Sequence, residues 1–139
     1  MSSIEFYVTG RPAPQGSKRA LGPGRMIEMS KYVKPWRAAV TAAATKAVVA
    51  QGWALLNEPC CLEIVFFMAR PAHPKFDSPG VAPDLSKLVR ATEDALTKVI
   101  WRDDSRVVYT QSAKEFVRPG EDPGALIRVY TIQADDEVA

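Results

Sequence analysis

The stretch 83-PDLSKLVRATEDALTKVIWRDD-104 decides how this chain folds, because it reads as one helix closed by turns, with strand-like segments on either side. Leu88, Val89, Thr92, Ala95, Leu96 and Val99 recur at helical spacing and give residues 86 to 99 a single apolar face. Pro83 biases its predecessor away from helix, and this places Ser86 at the expected N-cap. At the other end, Asp103 and Asp104 form a turn into a strand that starts near Arg106.

On the N-terminal side of this helix, 61-CLEIVFFMA-69 is rich in β-formers and reads as a buried strand, followed by a Pro-rich loop over residues 70 to 83. On the C-terminal side, residues 106 to 117 and 125 to 133 supply two more strands. Near the start, 4-IEFYVT-9 alternates as a half-buried strand does, with Ile4, Phe6 and Val8 on one side. The run 10-GRPAPQGSKRALGPG-24 is loop, and a loop of that length is usually functional or disordered. Ser30 then caps a helix over residues 31 to 50, with Tyr32, Val33, Trp36, Ala39, Val40, Ala43, Ala47 and Val48 at helical spacing. The order β, α, β, α, β, β predicts an α+β two-layer sandwich, a mixed sheet of about four strands with two main helices on one face. With 139 residues, 47% of them hydrophobic, the chain suits one domain over 1–139, and its acidic tail, residues 134 to 139, is expected to fray.

Cys60 and Cys61 are adjacent, too close to staple the fold and without the spacing of a zinc site, so they read as reduced thiols in a cytosolic protein. The opening MSSIEFYVTG has neither a basic leader nor a long apolar core. No apolar run reaches the roughly 18 residues that a membrane span needs. A soluble, cytoplasmic protein with no membrane partner is expected.

The net charge of +2 hides an uneven distribution. Residues 1 to 46 hold eight Lys or Arg against Glu5 and Glu28, a net of +6, whereas residues 121 to 139 carry a net of −4. Lys31, Lys34 and Arg37, spaced by three, make a basic ridge on the first helix. Such a segment suits a phosphate backbone, although on charge alone a solvated surface explains it as well. The acids have bland readings too. Asp84 before a helix and the pair Asp103-Asp104 are ordinary turn residues, and Arg90 with Asp94 suits a surface ion pair. His73 lies in a loop without a sequence partner, and Trp36, Trp53 and Trp101 suit the core better than base stacking.

The wording of residues 83 to 108, PDLSKLVRATEDALTKVIWRDDSRVV, nevertheless resembles the segment that defines the RusA family of Holliday-junction resolvases, small phage- and prophage-borne endonucleases. The family pattern there runs Pro-Asp-x-Asp, Asn or Lys, Leu, a Lys or Arg two residues on, then Asp-Ala-Leu and Asp-Asp with an apolar pair. The segment 10-GRPAPQGSKR-19 is similar to the family's N-terminal turn, and the resemblance extends through the C-terminal strands, with Lys114, to residue 133. It implies a homodimer that cuts four-way or branched DNA, in a bacterium or a phage-infected host. It also implies carboxylates that hold Mg²⁺, with Mn²⁺ able to substitute. Carried over by position, the first family aspartate falls on Asp84, the last on Asp104 beside Asp103, and the basic helix residue on Arg90.

On that reading Asp84, Ser86, Arg90, Asp103 and Asp104 form the catalytic group, with Asp84, Ser86 and Asp104 toward the metal. Arg11, Lys18, Arg19, Lys34, Arg37 and Lys87 track flanking phosphates. A metal held by carboxylates serves phosphodiester hydrolysis by activating water or easing the leaving oxygen, and an arginine clamps a non-bridging oxygen. Ser86 departs from the family, standing where its second aspartate would be. Three explanations stay open at this point: a site completed by another acid such as Asp103 or Asp94, a non-catalytic branched-DNA binding protein, or a change introduced to trap a complex.

Overall fold

The computed structural model describes residues 2–15 and 23–132, with the backbone alone over 23–30. Its elements are β1 (Ser3–Thr9), α1 (Pro23–Gln51), β2 (Cys60–Met68), α2 (Leu85–Leu96), a single 3-10 turn (Asp104–Arg106), β3 (Val107–Phe116) and β4 (Gly124–Thr131). The strands form one mixed sheet in the order β1-β4-β2-β3. β4 runs antiparallel to both β1 and β2, while β2 and β3 are parallel. A parallel pair cannot be joined by a hairpin. α2 is the crossover between β2 and β3, so it starts beyond the C-terminal end of β2 and returns to the beginning of β3.

Alternation along the strands puts one face of the sheet under the helices. Cross-sheet rows Ile4–Val129–Leu62, Phe6–Ile127–Ile64 and Val8–Ala125–Phe66 are all buried. Trp36, Val40 and Ala44 of α1 and Leu88, Ala91 and Ala95 of α2 join them in one core. Burial of Trp36 is tolerable because its indole N–H donates to Thr92 Oγ1 at 3.2 Å, while the Thr92 hydroxyl donates to the Leu88 carbonyl at 2.8 Å. Trp101 is also fully buried and Trp53 packs against the core, so all three tryptophans are structural, as expected. On the opposite face Tyr7 and Leu126 are exposed, with the Tyr7 and Phe67 rings 6.1 Å apart.

The α+β sandwich agrees with the reading of the sequence, but the helix ends do not. α1 begins at Pro23, so Ser30 lies inside the helix and is no N-cap. Proline is well suited to a first helical position, where its missing N–H has no partner to lose. The N-cap of α2 is Asp84, and Ser86 is the second helical residue. Pro83 restricts only Ala82 before it, so nothing keeps Leu85 and Ser86 out of the helix, and Asp84, extended at φ −67° and ψ 137°, opens it directly. The Asp84 carbonyl accepts from the Lys87 and Leu88 amides at 3.2 and 3.1 Å. α2 stops at Leu96 rather than residue 99, because Thr97 leaves the helix at φ −63° and ψ 132°, and Lys98 follows in a left-handed conformation with φ 72°.

Candidate active site

The opening stretch divides into two clusters, one at each end of α2. At the N-terminal end, Asp84, Ser86 and Arg90 are exposed. Ser86 and Arg90 are four apart and share a helix face. Lys87 pairs with the Asp84 carboxylate at 3.6 Å, a surface ion pair of small energy. The Gln15 amide donates to the Lys87 carbonyl at 3.1 Å and so ties the N-terminal Pro-rich segment to this turn. Arg11 spreads its guanidinium 3.7 Å over the Tyr32 ring, joining the same segment to α1. Lys34 and Arg37 are exposed on α1. Lys18 and Arg19 lie outside the described residues.

Lys114 gains a role that sequence reasoning did not assign. It occupies the same cross-sheet row as Ala125 and Phe66, on the face that the helices cover. A lysine in an apolar row was the signal available. Its ammonium donates to the Val81 and Pro83 carbonyls, both at 2.9 Å, and so clamps the chain immediately before Asp84.

At the C-terminal end, Asp103 accepts from the Ser105 amide at 2.8 Å and caps the 3-10 turn. That bond holds the Asp103 carboxyl below the usual carboxylate range, with Arg106 contributing. Asp104 is exposed and close enough to Glu93 for their charges to repel. Burial, then Asp104, then Asp94 raise the pKa of Glu93. Glu93 was missed in the sequence, although it falls seven residues after Ser86 on one helical stripe. Arg90 and Asp94, expected to pair, do not: among the described residues the ion pairs are Lys87–Asp84 and Arg128–Glu63.

The two clusters are therefore separate within one chain. Glu93, which marks the Asp104 end, lies nine residues beyond Asp84, a rise of about 14 Å along the helix. Carboxylate and hydroxyl oxygens suit a hard divalent cation. Among the described residues, however, no three acidic, His or Cys groups converge to hold one. Each end fits such an ion only in part.

The chain is thus an α+β domain with exposed acids at both ends of its crossover helix and basic residues on the neighbouring elements. The model of the family "Endodeoxyribonuclease RusA" matches residues 9–130, and the chain belongs to this family of Holliday-junction resolvases. The family implies a branched-DNA substrate and dependence on a divalent metal. The chain is also similar to the uncharacterized protein YqaN of Bacillus subtilis (strain 168), at 24% identity over 96% of this chain and all of the relative. Among the described residues no helix is long and apolar enough to cross a membrane.

Proposed function

We propose that this protein is a Mg²⁺-dependent endonuclease that resolves four-way junctions as a homodimer, with catalysis weakened by Ser86. The observation that carries this reading is the separation of the two acidic clusters along α2. A two-fold axis beside the middle of that helix brings the Asp84 end of one subunit to the Asp104 end of the other. Two composite sites then form, matching the two symmetry-related strands of a junction.

In each site Asp84 and Ser86 of one subunit and Asp104 of the other would hold the ion, with Asp103 beside it. A bound divalent ion supplies Lewis-acid stabilisation and lowers the cost of making hydroxide from water. Arg90 would clamp a non-bridging phosphate oxygen, and Arg11, Lys18, Arg19, Lys34, Arg37 and Lys87 would meet flanking phosphates. Ser86 offers a neutral oxygen where the family has a carboxylate, so metal affinity and rate both fall.

Cleavage of a labelled synthetic four-way junction in Mg²⁺ or Mn²⁺ tests this, beside Asp104→Asn and Ser86→Asp variants. Symmetrical cuts by the parent, lost in Asp104→Asn and faster in Ser86→Asp, are expected. The missing carboxylate at 86 also favours a second reading, a branched-DNA binder without catalysis. In that case the parent holds junctions equally with and without metal, and only Ser86→Asp cuts.

A further inference from the structure

A cleft of about 500 Å³ opens between the 70–83 loop and the C-terminal ends of β2 and β3. Its walls are Met68, Phe76, Phe116 and several prolines; its polar groups include Arg11, Lys75, Lys114 and His73, and among the described residues no carboxylate lines it. Pro83, whose carbonyl Lys114 holds, forms part of the wall, so the cleft borders the chain that leads directly into Asp84.

This combination is selective. An apolar slot of this size suits a small flat molecule. A cationic lining without carboxylates asks for an anion, and the nucleotide is the ligand class that joins a planar aromatic face to negative charge. Lys114 spends two of its three ammonium donors on carbonyls and keeps one for a phosphate oxygen. Arg70 already lies 5.4 Å from the centre of the Phe116 ring, leaving another cation beside the wall on which a base would stack.

We propose that the cleft receives one nucleobase displaced from the stack where the arms of branched DNA meet, with its phosphate on Lys114 and Arg11. The proposal rests on the branched-DNA reading above and adds a physical source for structure selectivity. Withdrawing a base from a duplex costs a few kcal/mol, and least where pairing is already interrupted. At a branch point the bases stay paired, but the stack is broken on one side, so a base there costs less to withdraw than one inside an intact duplex.

The test uses the full chain in Ca²⁺ or EDTA, with four-way junctions carrying a single 5-iodouracil at each branch-point position in turn. Irradiation is expected to crosslink one position to peptides containing Phe76, His73 or Phe116. Ala69→Trp, a change at an exposed residue lining the cleft, and Lys75→Glu are each expected to abolish that crosslink. Ala69→Trp should also weaken junction affinity about tenfold, the scale of one lost base stack, with duplex affinity unchanged. Crosslinks elsewhere, or an unchanged junction-to-duplex ratio in Ala69→Trp, overturn the proposal. If the parent itself binds junction and duplex equally, the branched-DNA reading fails instead. Crosslinking to a 5-iodouracil single strand then decides the cleft separately, supporting it if mapped to the same peptides and overturning it if mapped elsewhere.

Discussion

Lys114 shows what one side chain does in this molecule. Its two carbonyl partners lie in a loop with little regular structure, and they connect the edge strand β3 to the residue that opens α2. Replacing it with alanine removes two hydrogen bonds whose carbonyls can partly turn to water, at a cost of about 1 kcal/mol. Denaturant unfolding of Lys114→Ala should show that loss, and limited proteolysis should cut within residues 70 to 83 faster than in the parent. An unchanged digestion pattern would mean that the clamp does not order the loop. Lys114→Arg should restore part of the protection. The alternation of β3 marks position 114 as facing the helices, but the partners of its ammonium lie 31 and 33 residues away and are decided by the crossover.

Among the elements, β2 and β4 form the interior of the sheet. Gly124 opens β4 opposite Thr9, where an added Cβ would collide with the Val8 carbonyl and the Tyr7 ring. Gly124→Ala is therefore expected to destabilise the β1–β4 pair by about 1–3 kcal/mol, the usual cost of forcing extra volume into a packed site. A thermal melt at the parent's midpoint would contradict this. On β2, burial pushes the Cys60 thiol up to about 11, with Cys61 and Glu58 adding to the shift. Because folding raises this pKa above its ordinary 9.0, the stability it contributes is fully present below pH 9.0 and is lost as the pH rises through about 11. Between those values Cys60→Ala should lose stability less steeply than the parent, as measured by denaturant titration across alkaline pH; identical slopes would refute the assignment.

For the whole molecule, the decisive matter is whether a site belongs to one chain or two. Asp84→Asn and Asp104→Asn are each expected to abolish junction cleavage. In a mixture that exchanges subunits, one composite site recovers both native aspartates, so nicking of one strand should return. If each site is built within a single chain, no mixture restores activity. A gel assay of the two variants, separate and then mixed, distinguishes these outcomes.

The amino-acid sequence by itself determined the family and the α+β class, because these follow from periodicity and from residue types at fixed offsets. It left the ends of both helices misplaced, since Pro23 and Asp84 suit several local roles and only packing chooses among them. Tertiary structure alone decided that Asp84 and Asp104 stand apart, that Glu93 adjoins Asp104, and that Lys114 closes a cleft. Each of these depends on the direction in which α2 recrosses the sheet. That direction follows from the parallel pairing of β2 with β3, a long-range choice that no local spacing encodes.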